Sequence, residues 1–323
     1  MKGRRILFVD ESKKSRKQAV RILAATHAQI DCPESEEEAR KLLEANNYDI
    51  LFASAQNVGI FNFASKIASR ATTILVAQAA LQDTIQLLVE QNSIGNFIAK
   101  NSEGEINAQD LLTTTEKIFR SDIFGVEKYL KWGVDVQEYY VYDSSLRMRY
   151  TNEIVEYCRS LGCRDSLIGI VTDLCDELLM NAIYDAPRFE TGEEKYNKLD
   201  RKETVRLSIK EGARLQFASD GDTLAISVAD PFGAITRQTI INYLHKCFGK
   251  GENQIESGDG GAGLGLYIIW KSVNQFIVNL DPGVKTEVIG LINLGMSMKE
   301  FKQVNRSFHF FTTGHGPVRG VSS

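Results

Sequence analysis

The chain has 323 residues, of which 43% are apolar and 25% are charged, and its formal net charge is −4. Since domains average about 150 residues, this length predicts two of them. The composition is that of a globular protein and excludes a disordered or collagen-like chain. A mildly acidic chain has no electrostatic footprint for nucleic acid or an anionic membrane surface, so neither is expected as a partner.

The five cysteines form no CxxC pair, which favours reduced and mostly buried thiols. The basic amino terminus is followed by only a short apolar run, ILFV at 6–9, which is too short for the apolar region of a signal peptide. No segment approaches the roughly 20 apolar residues that a membrane span needs. We therefore expect a soluble, cytoplasmic protein.

Short apolar runs alternate with helical patterns over residues 1–121. The runs lie at 6–9, 49–55, 72–78 and 96–100, and the helical segments at 12–27, 35–47, 81–92 and 110–121. This alternation predicts βαβ units and one doubly wound domain with a five-stranded parallel sheet. Residues 122–138 break the pattern, and their aromatic side chains, Trp132 among them, predict a linker that packs on a domain.

From residue 139 the order of the elements changes. The pattern predicts a strand at 139–143, followed by helices at 144–161 and 165–186. It then predicts strand-like runs at 204–210, 213–219 and 223–230. Helices at 237–248 and 263–275 follow, and a hairpin of 275–280 with 285–294 closes the domain. Hairpins with helices gathered elsewhere predict an α+β sandwich over 139–298. The charged loop at 188–203 is expected to be solvated, and the tail at 299–323 to be frayed.

Polar residues share one face of the helix predicted at 165–186. Glu177 and Asn181 are four residues apart, and Asp185 continues the face one turn later. Such a stripe is usually the solvated side of an amphipathic helix. An amide beside a carboxylate nevertheless supplies what magnesium holding phosphates needs, namely an oxygen ligand and a group that positions water or accepts a proton.

A second feature is the glycine-rich segment GDGGAGLGLYII at 258–269, which leads into an apolar helix. Glycines let backbone N–H groups approach an anion closely, and a helix amino terminus favours negative charge. A Rossmann fingerprint is a poor match because the segment follows a helix and a loop, and GxxxxGK[ST] is absent. Asp230, at a strand end, could accept a hydrogen bond from an exocyclic amine or be a simple turn aspartate.

The order of these motifs resembles the ATP-binding domain of the GHKL superfamily, which includes gyrases, histidine kinases and anti-sigma serine kinases. The resemblance covers about 140–294 and rests on DELLMNA together with GGAGLGLYII. It implies ATP and magnesium as cofactors. It further implies that Asn181 coordinates magnesium, that Glu177 acts as base or polarises the attacking group, and that Asp230 reads the adenine amine. By the same resemblance Gly261, Gly263 and Gly265 would wrap the phosphates, and Thr286 would support the adenine pocket. Asp185 and Gly233 are further candidate cofactor-binding positions.

The chain departs from the family pattern in the turn after Asp230. The family usually has glycines two and four positions after this aspartate, whereas the chain has Phe232 and Ala234, with Gly233 between them. Residues 237–260 take the position of the family's ATP lid. The departure predicts an altered lid hinge and purine pocket.

Residues 1–121 also resemble a family, the receiver domains of bacterial response regulators. Asp10 and Glu11 stand in the place of the acidic metal pair, and Lys100 ends the fifth strand. Ser54 stands where the phosphoacceptor aspartate is expected, and Gln78 replaces the switch hydroxyl. A serine lacks the carboxylate that forms an acyl phosphate and completes a magnesium site. We expect a receiver that is not phosphorylated and serves in docking or as the interface of a homodimer.

None of the four histidines lies on a long helical hairpin ahead of the second domain, where histidine kinases carry their phosphoacceptor. The leading hypothesis is therefore a bacterial signalling regulator that binds Mg-ATP and phosphorylates or sequesters a partner protein, as anti-sigma serine kinases do. One alternative is a non-enzymatic scaffold with a degenerate nucleotide domain. Another is a histidine kinase-type ATPase that acts in trans.

Overall fold

The computed structural model describes residues 3–78, 81–90, 94–249 and 262–314. It comprises two compact units, the first made of Met1–Ile123, Val304–His309 and Thr313–Ser323, the second of Phe124–Gln303 and Phe310–Thr312. The predicted mixed α/β class is confirmed. Within the described ranges, no helix combines the length and the apolar character needed to cross a bilayer.

Strands and helices alternate through the first unit. They are β1 (Arg5–Val9), α1 (Lys13–Leu23), β2 (Gln29–Asp31), α2 (Glu36–Ala45), β3 (Ile50–Ala53), α3 (Gly59–Lys66), β4 (Thr72–Ala77), α4 (Leu81–Glu90), β5 (Asn96–Ala99) and α5 (Ala108–Arg120). The strands are parallel, in the order β2-β1-β3-β4-β5. Because the chain order reverses between β1 and β3, the carboxyl ends of these strands border the crevice where open α/β sheets bind ligands.

Local chemistry explains where several of these helices begin. The side chains of Ser12, Ser35 and Asn107 each accept a hydrogen bond from a backbone N–H in the first turn of α1, α2 and α5, respectively. Such caps satisfy donors that have no partner inside the helix. The strands between the helices are continuously apolar, and Phe8 of β1 contacts Phe52 of β3 with ring centroids 5.7 Å apart.

The second unit is built on an antiparallel sheet. Its elements are β6 (Gln137–Val141), α6 (Arg147–Ser160), α7 (Asp165–Met180), β7 (Ala213–Ser219), β8 (Thr223–Asp230), α8 (Arg237–Gly249), α9 (Ala262–Lys271), β9 (Gln275–Asp281), β10 (Lys285–Asn293) and α10 (Met298–Gln303). The strand order is β9-β10-β8-β7-β6. Helix α7 packs on β8 and lies between α6 and α9, so it joins the sheet to the other helices.

Helix α7 changes its winding at the residues of interest. A π-helical turn spans Asn181–Asp185, and the Ala186 N–H donates to the Asn181 carbonyl at 2.9 Å. The predicted helix at 165–186 therefore ends in a wider turn. Because a π turn holds more residues than an α turn, Asp185 is rotated from the face predicted for an unbroken α-helix. Single π turns are frequent at functional sites.

The predicted strand at 204–210 is wrong. Arg206 forms only an isolated bridge with Asp143, and the Val205 N–H donates to the Ser144 hydroxyl at 2.9 Å. The segment next to it, Ser144–Leu146, is a 3-10 turn. It therefore offers no strand with which residues 204–210 could form a ladder of hydrogen bonds. Of the alternating apolar residues, Val205 and Leu207 are buried, whereas Ile209 is 88% exposed.

The start of the predicted linker packs on the sheet of the second unit. The turn Val126–Tyr129 contacts β7 and β8. The Gly125 N–H donates to the carboxylate of Glu287 at 2.9 Å, and this buried carboxylate also accepts from the Asn279 amide at 2.8 Å. Trp132, which the sequence pattern places among the packing side chains, is instead fully exposed.

The expectation of a frayed tail over 299–323 is wrong as far as Thr312. Strand β11 (Ser307–Thr312) follows α10, and its first half pairs antiparallel with β5. His309 is fully buried there, with Nε2 2.9 Å from an oxygen of Asp110 and Nδ1 3.2 Å from Asn96 Oδ1. The apolar run SFHFF and this polar anchor supply the burial that orders the segment.

Candidate functional site

Glu177 and Asn181 meet α9 at Gly265. A Cβ atom placed on Gly265 would lie 2.3 Å from Glu177 Oε2 and 3.7 Å from Asn181 Oδ1. A side chain at this position would displace the carboxylate, so glycine is what allows the two helices and both polar groups to share this space. The structure therefore brings together the two motifs that lie far apart in the sequence.

The carboxyl group of Glu177 is half-buried beside other charges. Burial is the main cause that raises its pKa; Asp176 and Asp185 add to the rise, while Arg201 and Arg147 oppose it. No side-chain hydrogen bond joins the Asn181 amide to another residue of the described ranges. A carboxylate whose pKa is raised and an amide oxygen without a partner are groups that can accept a proton and coordinate a cation.

Asp185 is engaged by a residue that sequence reasoning missed. Its Oδ1 accepts from Arg201 Nη2 at 2.6 Å, while Oδ2 is buried with no partner among the described residues. Burial raises the pKa of this carboxyl even though the Arg201 guanidinium lowers it. Arg201 comes from the charged loop at 188–203, which was expected to be only solvated. No periodic pattern marks such a loop residue, so the sequence held no signal for this ion pair.

Asp230 and Thr286 form a second buried polar pair. They are opposite each other in the register of β8 and β10, and they are 8% and 1% exposed. Asp230 Oδ1 accepts from the Phe232 N–H at 2.9 Å. The Thr286 hydroxyl faces the carboxylate but completes no regular hydrogen bond within the described structure. A buried hydroxyl in this state is a place where a polar ligand could supply the missing partner.

Burial raises the pKa of Asp230 to about 6, although the backbone N–H groups of Phe232 and Gly233 and the Thr286 hydroxyl act in the opposite direction. The folded state therefore holds this proton at a pH where the unfolded chain has lost it. The carboxylate costs stability once it is charged, and groups that cost stability are often kept for function.

We expect Asp230→Asn to stabilise the second unit at pH 7 by about 2–3 kcal/mol, because the variant removes the buried charge. The native pKa is raised, so the wild type loses this stability between about pH 4 and pH 6, and the variant should lose none. Urea unfolding at several pH values, followed by the fluorescence of the buried Trp270, measures the difference. If the difference in unfolding free energy between Asp230→Asn and the wild type did not change with pH, the raised pKa of Asp230 would be contradicted.

Gly233 is explained by packing on the β9–β10 turn. Its φ is +57°, and a Cβ atom there would lie 2.2 Å from the Asp281 carbonyl oxygen and 2.7 Å from the Gly283 nitrogen. The Gly283 N–H also donates to the Gly233 carbonyl at 3.0 Å. The single glycine kept in this turn is therefore the one that the close backbone approach requires.

The glycine-rich segment is described only in part. Gly265 and Gly263 lie within α9, whereas Gly261 and residues 250–260 of the predicted lid lie outside the described residues. Helix α8 accounts for the first part of the predicted lid at 237–249. The predicted contacts of these glycines with phosphates remain predictions.

The polar side chains at the carboxyl ends of β1, β3 and β5 in the first unit make internal contacts. Asp10 is 5% exposed, and its Oδ2 accepts from Lys100 Nζ at 2.6 Å and from the Ser15 hydroxyl at 2.7 Å. The Ser54 hydroxyl donates to Asn57 Oδ1 at 2.8 Å. The described residues contain no group of three or more His, Cys, Asp or Glu side chains arranged to hold a metal.

Neither a family model nor a curated protein matches this chain. Among solved structures, the response regulator protein TrrA from Thermotoga maritima is 21% identical, over 36% of this chain and 98% of its own, with a TM-score of 0.31. The receiver domain of NtrC4 from Aquifex aeolicus is 18% identical, over 36% and 97%, with a TM-score of 0.31. The SiaB-SiaC complex from Pseudomonas aeruginosa is 14% identical, over 57% and 97%, with a TM-score of 0.33. These likenesses concern the fold.

Proposed function

We propose that this chain is a signalling regulator whose second unit is a GHKL-type domain that binds Mg-ATP and acts on a partner protein, by phosphorylation or by sequestration. The observation that carries the proposal is the meeting of Glu177 and Asn181 with Gly265. An amide oxygen and a carboxylate of α7 thereby lie against α9, the helix that follows the glycine-rich segment of the sequence. This combination suits a metal-bound polyphosphate better than it suits a packed core.

The donor set fits both cofactors. Asn181 would hold the magnesium ion, since its amide oxygen has no partner within the described structure. Bound magnesium would neutralise charge on the phosphates. Glu177, whose pKa is raised mainly by burial, would accept the proton of the attacking hydroxyl. The absence of a side chain at Gly265 leaves room for the Glu177 carboxylate beside α9.

The other end of the site would receive the base. The carboxylate of Asp230 would accept a hydrogen bond from an exocyclic amine such as that of adenine. The Thr286 hydroxyl, buried beside it without a regular partner, would gain one when a polar ligand binds. Both residues lie where the end of β8 pairs with the start of β10. Positioning of this kind is the main contribution that a protein makes to phosphoryl transfer.

The first unit would serve in docking rather than as a phosphoacceptor. Ser54 offers no carboxylate, and Asp10 is already bound by Lys100 and Ser15. His309 is fully buried against Asp110, so it is excluded as an internal phosphoacceptor. We propose that the phosphoryl group is transferred to a serine or threonine hydroxyl of the partner.

Calorimetric titration of the full chain with ATP, with and without magnesium, tests nucleotide binding. We expect binding that requires magnesium. Incubation with γ-labelled ATP and candidate partner proteins then tests transfer, and acid-stable label on a partner serine or threonine is expected. The absence of any binding would favour the non-enzymatic scaffold, and acid-labile label on a histidine of this chain would overturn the serine-kinase proposal.

We expect Gly265→Ala to lower turnover of ATP by about a hundredfold while weakening its binding by less than about tenfold. The added Cβ would push away the carboxylate of Glu177, which is the flexible end of its side chain, so the fold should persist. Gly169→Ala is the matched control, because a Cβ at this position of α7 meets no atom within 4 Å. Steady-state turnover and calorimetry separate the two effects. Equal turnover in both variants would show that Glu177 is not the base.

A further inference from the structure

Helix α6 ends in a glycine cap that places two cysteines side by side. Gly162 has φ +72°, and its N–H donates to the Arg159 carbonyl at 2.9 Å, while the Cys163 N–H donates to the Cys158 carbonyl at 3.0 Å. These two bonds define a Schellman motif, in which the residues at the two ends of the loop contact each other. In most proteins the residues at these two positions are hydrophobic, whereas here both are cysteines.

The backbone bond from Cys163 to the Cys158 carbonyl brings the two residues together, and each thiol affects the pKa of the other. Both are free cysteines; Cys158 is fully buried and Cys163 is half-buried. Cys175, the third thiol nearby, is buried on α7 and accepts from the Thr151 hydroxyl at 3.6 Å. A reagent from solution can therefore reach Cys163, whereas Cys158 is shielded from solvent.

A cavity of about 200 Å³ opens beside Cys163. Its walls include Leu161, Arg164, Asp222, Met296 and Phe301. Asp222 precedes β8 and Asp230 ends this strand, so the cavity is at the far end of the strand from the proposed nucleotide site. The cavity gives the thiol of Cys163 a space that admits a small reagent.

We propose that Cys158 and Cys163 form a dithiol site that reacts with low-molecular-weight disulfides, of which glutathione disulfide is the probe. The Cys163 thiolate attacks one sulfur of the reagent, which forms a mixed disulfide and releases one small thiolate. The Cys158 thiolate then attacks Cys163 Sγ, which closes an internal disulfide and releases the second small thiolate. Two protein thiols are oxidised and one reagent disulfide is reduced to two thiols, so electrons and protons balance.

Closure should be slow at neutral pH and faster at alkaline pH. Burial raises the pKa of Cys158 to about 12 and also raises the pKa of Cys163. Since the thiolate is the nucleophile, the rate of closure should rise about tenfold per pH unit as long as the pH is below the pKa of the attacking thiol. The disulfide would therefore form during prolonged exposure to oxidised low-molecular-weight thiols, and a brief exposure would leave both thiols reduced.

The test is incubation of the full reduced chain with glutathione disulfide, followed by acid quench, alkylation and peptide mapping by mass spectrometry. We expect a 158–163 disulfide in the wild type. In Cys158→Ser the mixed disulfide should persist on Cys163, and in Cys163→Ser no glutathione should appear on Cys158. Cys32→Ser, which changes a thiol of the first unit, is the matched control and should behave as the wild type.

The wild-type map does not depend on whether a variant folds. Alkylation of both Cys158 and Cys163 after prolonged treatment at alkaline pH would overturn the proposal, as would a bridge from either residue to Cys175. Gly162→Ala strains the cap, because alanine rarely adopts a φ of +72°, and it should slow closure several-fold. Gly162→Asn tolerates this conformation and should restore the rate. Equal rates in both variants would show that the cap does not position the thiols.

Discussion

Asn181→Ala is expected to weaken the magnesium-dependent binding of ATP by about a hundredfold, which is the range for losing a group that holds a bound metal. This expectation is based on the Asn181 amide, which lies beside Gly265 and makes no side-chain hydrogen bond within the described structure. For the same reason, its removal leaves no internal partner unsatisfied, so the fold should be unaffected. Calorimetry with Mg-ATP measures the loss.

The metal dependence makes this prediction specific. In the presence of a chelator, the wild type and Asn181→Ala should bind ATP with similar, weak affinity, because only the metal-mediated part has been removed. Asn152→Ala removes an exposed amide from α6 and is the matched control, with no expected effect. An Asn181→Ala chain that binds Mg-ATP as tightly as the wild type would remove Asn181 from the metal site.

The two units differ in how their buried carboxyl groups are satisfied. In the second unit, burial raises the pKa of Glu177, Asp185 and Asp230, and internal partners compensate only in part. In the first unit, Asp10 has a lysine and a serine on one oxygen and a backbone N–H on the other. Polar groups in a ligand-binding site often lack internal hydrogen-bond partners when no ligand is bound, whereas polar groups with a purely structural role have such partners. This difference is one reason to place the proposed ligand site in the second unit.

Much of the fold could be predicted from local patterns. Strands β7 and β8 begin and end at the predicted residues, 213–219 and 223–230, because continuous apolar runs there are bounded by a clear turn. The meeting of the motif at Asn181 with the glycine-rich helix could also be expected, since both motifs were assigned to one domain. Such short-range signals predict the helices and strands themselves well, but they predict less well which elements pack against each other.

The remainder depends on long-range contacts that leave no local trace. Strand β11 needs β5 as its partner, and the run at 204–210 fails as a strand because a turn lies beside it. The ion pair of Arg201 with Asp185 joins a charged loop to a helix end, and composition alone marks such a loop as solvated. The Schellman contact of Cys158 with Cys163 requires the left-handed conformation of Gly162, which spacing alone does not reveal.

The contrast between the units leads to a prediction for the first one. Asp10→Ala should destabilise it by about 3 kcal/mol, because the ammonium of Lys100 would remain buried without its carboxylate. The ion pair is 2.6 Å long, and its side chains are only 10% and 4% exposed. Glu11→Ala is the matched control, since this adjacent carboxylate is exposed and should contribute little.

Both tryptophans lie in the second unit, so hydrogen exchange of peptides from β1 and β3 is the appropriate measurement. Asp10→Ala should accelerate exchange in these strands, while Trp270 fluorescence reports an unchanged second unit. Magnesium should leave exchange of the wild type unchanged, because Lys100 already occupies the carboxylate that a receiver would use for the metal. Protection by magnesium that is lost in Asp10→Ala would instead show a working receiver metal site, and the docking role proposed for this unit would then be wrong.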